Sequence, residues 1–277
     1  MTAYKPSPRP TFDRPAAITR RDVTRHIWGD SEAGEVADWI YASTDKIHCL
    51  VFGLPAGGAF RHSEEFRTVF GADELLYVLE GTMLLSNPET GEIERIPAGS
   101  SAVFRQNTWH HAYAHGGEPL RVIEFFAPPP SAGTSGAHAR TRPFLEQPRA
   151  ADDALLGHVL PGAVRTRSLL PVRDDDVVWR RDLGVLVGLH VSTEHLTAGV
   201  LEVNPGEASA IHEHPGDEVL FVLDGTLHVR AWHGDDVFVF ELGPEDACFL
   251  PAGARHEYRV YGARCARALV AVAPQWS

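Results

Sequence analysis

Two histidines and a glutamate stand close together towards the end of the chain, at His212, His214 and Glu218. Residues two apart on a β-strand point to the same face, so the two imidazoles enter one cavity. A short turn then brings in the carboxylate, and a later turn delivers a third imidazole, His256. Imidazole suits Fe, Ni, Cu and Zn, and carboxylate adds tolerance for Mn. The spacing predicts one divalent transition metal, with Fe, Mn, Ni or Zn as the candidates.

The spacing follows the pattern Gly-x5-His-x-His-x3-Glu-x6-Gly and then Pro-x-Gly-x2-His, which resembles the two motifs of the cupin superfamily. The first motif is complete and consists of Gly206, His212, His214, Glu218 and Gly225. The second motif is represented by Pro251, Gly253 and His256. It departs from the family at Glu245, where glycine is usual. The resemblance implies a double-sheet jelly roll. It also implies that the metal ligands are His212, His214, Glu218 and His256.

The same pattern occurs a second time in altered form. Residues 73–82 resemble residues 217–226, and His110 falls where His256 falls. The chain therefore resembles a bicupin, a tandem of two cupin domains. We expect an all-β fold of two tandem cupin double-stranded β-helix barrels, at residues 37–128 and 176–277. An N-terminal arm at residues 1–36 and a linker at residues 129–175 complete the predicted organisation.

The first copy keeps only part of the ligand set. Glu74 matches Glu218 and His110 matches His256, but the paired histidines are not conserved between the copies. Alignment of the glycines places Ser63 and Glu65 at the histidine positions, and a one-residue slip places His62 and Glu64 there instead. Two hypotheses follow: a structural domain that has lost its metal, or a second metal site built from His62, Glu74 and His110.

Two further side chains are candidates for catalysis. Tyr258 lies two residues beyond His256 on the same predicted strand, so its ring is expected on the cavity side. His228, Arg230 and Trp232 alternate along another strand, which fits either a pocket wall or an exposed face. We name Tyr258 and Arg230 as the residues that would orient a substrate.

Composition excludes several partners and compartments. The net charge is −12 and no Lys/Arg-rich run occurs, which argues against a nucleic-acid partner. No apolar run is long enough for a membrane span, and no signal peptide is visible. The three cysteines are widely spread, which indicates a reducing compartment. We predict a cytoplasmic protein with a small-molecule substrate, and a homodimer is a possible assembly.

Four protein ligands in a six-coordinate sphere leave two positions open for substrate or dioxygen. We predict a metal-dependent oxidoreductase, most naturally a dioxygenase, that acts on a small oxygen-bearing organic acid or aromatic compound. The first alternative is a non-redox metalloenzyme: a hydrolase resembling ureidoglycine aminohydrolases, a decarboxylase or an isomerase. The second is a bicupin that senses or stores a small ligand. The fold alone does not choose among these.

Overall fold

The computed structural model describes residues 8–31, 33–61, 70–87, 90–128, 167–274 and 276. The regular secondary structure of these residues consists of β-strands, apart from one 3₁₀ turn at Asp174–Asp176. In chain order the first strands are β1 (Ala16–Ile18), β2 (Thr24–Asp30), β3 (Gly34–Ser43), β4 (His48–Leu54), β5 (Ala59–Phe60), β6 (Asp73–Glu80), β7 (Thr82–Asn87), β8 (Glu92–Pro97), β9 (Ser101–Phe104), β10 (His111–Ala114) and β11 (Leu120–Ala127). The later strands are β12 (Leu170–Val172), β13 (Val178–Asp182), β14 (Val185–Ser192), β15 (Thr197–Val203), β16 (Asp217–Asp224), β17 (Leu227–His233), β18 (Asp236–Leu242), β19 (Ala247–Leu250), β20 (Arg255–Arg259) and β21 (Ala266–Ala273). Within the described ranges, no helix is long and apolar enough to cross a membrane.

The chain divides into two compact units. The described residues of the ranges 8–9, 25–40 and 50–174 form the first unit. Those of the ranges 10–24, 41–49 and 175–277 form the second. The first unit contains a seven-stranded sheet in the order β12-β9-β6-β11-β4-β3-β2 and a four-stranded sheet in the order β5-β10-β7-β8. The second contains a seven-stranded sheet in the order β1-β19-β16-β21-β15-β14-β13 and a three-stranded sheet in the order β18-β17-β20.

Each unit thus pairs a large sheet with a small one around its own apolar core, as a jelly roll requires. The all-β fold of two tandem barrels predicted from the sequence is confirmed. We call the first unit the N-terminal barrel and the second the C-terminal barrel.

The period-two pattern of the strands explains which side chains enter each core. In β17, Leu227, Val229 and Ala231 are buried, while the residues between them are partly exposed. In β16, every residue from Asp217 to Val222 is buried, because both faces of this strand are covered. The site residue Glu218 therefore lies on a strand whose two faces are both shielded from water.

The unit boundaries differ from the predicted domains at three places. Residues 1–36 were predicted as an arm, yet β1 pairs with β19 in the C-terminal barrel, and β2 and β3 belong to the N-terminal barrel. Residues 41–49 belong to the second unit and not to the first. Of the predicted linker, residues 129–166 lie outside the described residues, while β12 pairs with β9.

Glycines at the strand ends hold turns that other residues would strain. Gly225, between β16 and β17, has φ +77°, and a Cβ there would lie 2.3 Å from the carbonyl oxygen of Cys265. Gly81 repeats this arrangement in the N-terminal barrel, with φ +80° and a Cβ position 2.4 Å from the Pro119 carbonyl oxygen. The shared glycine of the two motif copies is thus required by both conformation and space.

We predict that Gly225→Ala destabilises the C-terminal barrel more than Gly234→Ala does. Gly234 also has a positive φ, but nothing lies within 4 Å of its Cβ position. Left-handed backbone strain costs about 1–2 kcal/mol at either residue. Overpacking adds about 1–3 kcal/mol at Gly225 alone. Thermal unfolding of both variants measures the difference, and equal midpoints would contradict the steric explanation.

Candidate metal centre

The predicted ligands come from three segments of the C-terminal barrel. His212 and His214 lie on the extended segment between β15 and β16, and the backbones of His212 and His256 form an isolated antiparallel bridge. The Gly253 amide donates to the carbonyl of His214 at 2.8 Å, which fixes the turn before β20. Glu218 is the second residue of β16, within its buried part. The structure therefore brings all four side chains together.

Asp217, the residue before Glu218, holds the turn that precedes His256. Its carboxylate accepts a hydrogen bond from the backbone amide of Ala252 at 3.0 Å. It also accepts from the Thr44 hydroxyl and the Lys46 ammonium group, each at 2.9 Å. A buried carboxylate needs such partners to offset its desolvation. In the Asp-Glu pair of the motif, Asp217 therefore positions the turn and Glu218 faces the centre.

Each of the three imidazoles is tied at Nδ1 to a backbone carbonyl. The acceptors are the carbonyl of Ala210 for His212 and that of Ala254 for His256, both at 2.8 Å. The carbonyl of Trp276 serves His214 in the same way. Because a carbonyl can only accept, Nδ1 carries the proton in each ring. The Nε2 lone pair of each neutral ring is then free for a metal, as the outer partners of metal-binding histidines usually ensure.

The free ends of these side chains meet at one point. Glu218 Oε2 lies 3.1 Å from Nε2 of His256 and 3.4 Å from Nε2 of His214. One nitrogen from each of the three histidines lies within 4.8 Å of the others. Oε2 of Glu218 and Nε2 of His214 are buried and have no hydrogen-bond partner. Acceptors that face one another in a buried space require a cation between them. The residues therefore fit a divalent metal.

Burial and mutual charge shift the pKa values of this cluster. Burial lowers the pKa of His212 to about 4, and the neighbouring His256 contributes in the same direction. Burial alone would raise the pKa of Glu218, but His256 and the other imidazoles outweigh it and lower the value to about 2. Burial also acts to lower the pKa of His256, but the Glu218 carboxylate outweighs it and raises that pKa. Glu218 is thus ionised, and its charge favours the protonated form of His256.

Tyr258 lies inside the centre, as the sequence predicts. Its buried hydroxyl donates to Glu218 Oε1 at 2.7 Å and lies 3.0 Å and 3.3 Å from Nε2 of His256 and His212. Burial, followed by the Glu218 charge, raises the pKa of Tyr258 well above its usual value. The hydroxyl therefore keeps its proton and holds one oxygen of Glu218, which leaves the other oxygen for a metal.

Arg230 does not reach the centre, so its predicted catalytic role is not supported by the geometry. It pairs in register with Glu257, whereas the next residue of β17, Ala231, pairs with His256. Successive residues of a strand face opposite sides. The guanidinium accordingly forms an ion pair with Glu257 at 3.2 Å on the outer face, where its side chain is 43% exposed.

The N-terminal barrel assembles a different set of groups. Glu74 and His110 converge as the sequence predicts, with His110 Nε2 at 3.9 Å from Glu74 Oε2. The third predicted member, His62, lies outside the described residues. Among the described residues, Glu124 of β11, which the sequence analysis does not name, joins Glu74 and His110. The available signal was a single acid inside the otherwise apolar stretch of residues 122–127.

Burial dominates the titration of this second cluster. It raises the pKa of Glu74, an effect to which Glu124 adds. It raises the pKa of Glu124 to about 8 and lowers that of His110 to about 4. The two carboxyl groups hydrogen-bond to each other, which requires a shared proton. His110 packs against the rings of Phe60, Phe70 and Phe104.

Comparison with protein families identifies the fold. The model of the cupin domain matches residues 59–126 and 199–272, which together make up more than half of the chain. The chain belongs to the cupin family. Each match falls on one barrel, so the chain is a bicupin, as its internal repeat indicates. No curated protein sequence matches the chain significantly.

Solved bicupin structures share the fold at low sequence identity. A mutant of oxalate decarboxylase from Bacillus subtilis matches with 15% identity and a TM-score of 0.66, over 97% of this chain and 80% of that chain. The formate complex of oxalate decarboxylase from Lactobacillus farciminis matches with 15% identity and a TM-score of 0.65, over 94% and 87%. AerE from Microcystis aeruginosa matches with 11% identity and a TM-score of 0.61, over 91% and 97%. A further structure of the Bacillus subtilis enzyme concerns its Mn(II) centres.

We predict that His256→Ala removes the bound metal, because it deletes one of the converging lone pairs. Protein purified without chelators and analysed by inductively coupled plasma mass spectrometry should hold one divalent metal per chain. The variant should hold almost none. His195→Ala is the matched control, since His195 is partly exposed and its ring pairs with Glu194. Full metal occupancy in His256→Ala would refute the assignment.

We also predict that metal binding releases a proton and weakens on acidification. The raised pKa of His256 means that its ring is protonated below that pKa, and a metal must displace this proton. Affinity should therefore be greatest above the pKa and fall about tenfold per pH unit below it. Calorimetric titration in buffers of different ionisation enthalpy counts the protons. Binding that is independent of pH across this range would be the contrary result.

Proposed function

We propose that the chain is a metal-dependent enzyme that removes carbon dioxide from a small carboxylate in its C-terminal cupin barrel. The observation that carries the proposal is the convergence of three Nε2 lone pairs and one Glu218 oxygen on a single buried point. This reaction is the decarboxylase alternative of the sequence analysis. Solved structures of similar fold include oxalate decarboxylases, which favours it over the dioxygenase.

The donor set suits several ions. Three imidazoles and one carboxylate accept Fe, Ni and Zn, and the carboxylate admits Mn. The Mn(II) centres of the Bacillus subtilis enzyme make Mn the first ion to test. When bound, such a metal supplies a fixed positive charge that can hold a carboxylate and stabilise negative charge as it develops.

The chain's own residues prepare the site for an anion. Glu218 remains ionised and is oriented by Tyr258, so its negative charge faces the position between the histidines. His214 and His256 are buried, whereas His212 is partly exposed, so a substrate approaches beside His212. Opposite Glu218, Leu250 of β19 and Val272 of β21 are buried and apolar, and they keep water from the inner side.

The protonated Tyr258 hydroxyl also gives the site a proton donor. Loss of carbon dioxide from a carboxylate leaves a carbanion-like carbon that must take up a proton. Tyr258 retains its proton under ordinary conditions and lies within hydrogen-bond distance of two imidazole nitrogens. We infer that it holds a proton close to where one is needed.

A dioxygenase remains the second candidate. Its support is the partly exposed side of the centre at His212, together with a ligand set that leaves coordination positions for both substrate and dioxygen. The two reactions differ in what they consume. Decarboxylation takes one proton and releases one carbon dioxide, whereas dioxygenation takes one dioxygen into the product.

The test is to assay Mn-loaded and Fe-loaded protein with small dicarboxylates, oxalate first, and to measure carbon dioxide and dissolved oxygen together. We predict carbon dioxide release without net oxygen uptake. His256→Ala should lose the activity and His195→Ala should keep it. Oxygen uptake equal to product would replace the decarboxylase with the dioxygenase. Absence of turnover with either metal would contradict the enzyme proposal.

A further inference from the structure

The N-terminal barrel contains a cavity of about 40 Å³ that the C-terminal chemistry does not use. This volume is enough for a few non-hydrogen atoms, since one water-sized probe fills about 10–15 Å³. Its walls are mainly aromatic, with the rings of Trp28, Phe52, Phe60, Phe70 and Phe126. Its polar lining consists of Asp38, His110 and Glu124.

The polar groups at this cavity are acceptors. Glu124 Oε1 and Glu74 Oε2 are fully buried and have no hydrogen-bond partner. His110 donates its Nδ1 proton to the Thr108 carbonyl at 3.3 Å, so its Nε2 is an acceptor as well. One atom from each of these three side chains lies within 4.8 Å of the others. Among the described residues that line the cavity, none is lysine or arginine.

Comparison of the two barrels shows that Glu124 is specific to this one. Glu124 pairs in register with Leu76, two residues beyond Glu74. The equivalent residue of β21 pairs with Leu220, two residues beyond Glu218, and is Val270. Val270 is buried in the apolar core. An acid at such a position costs several kcal/mol unless a partner compensates for its desolvation. Glu74 shares a proton with Glu124, but Glu124 Oε1 stays buried without a partner, and this oxygen points to a ligand.

We propose that this cavity binds a small organic ammonium ion, of the size of methylammonium. An ammonium group has three N–H donors, and Glu74 Oε2 and Glu124 Oε1 are two acceptors that lack a hydrogen-bond partner. Its positive charge offsets the buried carboxyl groups, and it gains further from aromatic rings around it. The attached carbon suits the apolar walls. Beyond these groups the described walls add only the Asp38 carboxylate, which is paired with His26, so a hard divalent ion such as Mg²⁺ or Mn²⁺ would lack a full set of oxygen ligands.

The experiment is calorimetric titration of the full-length, metal-loaded protein with methylammonium chloride, against sodium chloride at equal ionic strength. We expect one binding site for methylammonium and none for sodium. Glu124→Val, which restores the residue of the other barrel, should abolish binding. Glu124→Gln should weaken it about tenfold or more, because a hydrogen bond to a charged group is lost. Glu80→Gln, an exposed site on the same sheet, should bind like the wild type.

Thermal unfolding of each variant shows that the N-terminal barrel is intact, and Glu124→Val should be at least as stable as the wild type. Methylammonium that does not bind the wild type, or binds Glu124→Val equally, would overturn the proposal. A second equivalent of Mn²⁺ that survives His256→Ala and disappears in Glu124→Val would also overturn it, because the cavity would then be a metal site.

Discussion

The three backbone carbonyls that fix the imidazole rings of the C-terminal barrel are the constraint on which its chemistry depends. Each carbonyl takes the Nδ1 proton of one histidine, so Nε2 of His214 and of His256 faces Glu218 and Nε2 of His212 faces the Tyr258 hydroxyl beside it. The carboxylate and the lone pairs cannot satisfy one another, and Tyr258 supplies only one proton to the whole set. A cation is the simplest group that completes this arrangement. The four side chains thus require a positive charge that the residues of the barrel do not supply.

The two barrels share their architecture and differ in what they place at its centre. Asp73 and Asp217 both accept from a backbone amide in the turn that leads to the last histidine, through Gln106 and Ala252 respectively. This contact keeps the turn in place whether or not a full ligand set follows it. In the C-terminal barrel the centre contains three imidazoles and one acid. In the N-terminal barrel it contains two acids and one imidazole among aromatic rings.

The sequence predicted the fold and the four converging residues through short, regular spacing together with the resemblance to the two cupin motifs, which added His256. Residues two apart on an extended segment share a face, and glycines with positive φ mark the turns, so His212, His214 and Glu218 could be placed without coordinates. Contacts between residues far apart in the sequence were harder to predict. Glu124 meets Glu74 only through the register of β11 on β6, and the Trp276 carbonyl reaches His214 from far along the chain. Arg230 was misplaced because a period-two pattern does not say which of its two faces is inside.

The central claim is that a single metal lies among the three Nε2 atoms of the C-terminal barrel. Anomalous diffraction from crystals of Mn-loaded protein, recorded at the manganese absorption edge, locates the ion directly. The account predicts one strong peak per chain, about 2.0–2.2 Å from Nε2 of His212, His214 and His256. A map with no peak there, or with its main peak between Glu74, Glu124 and His110, would contradict it.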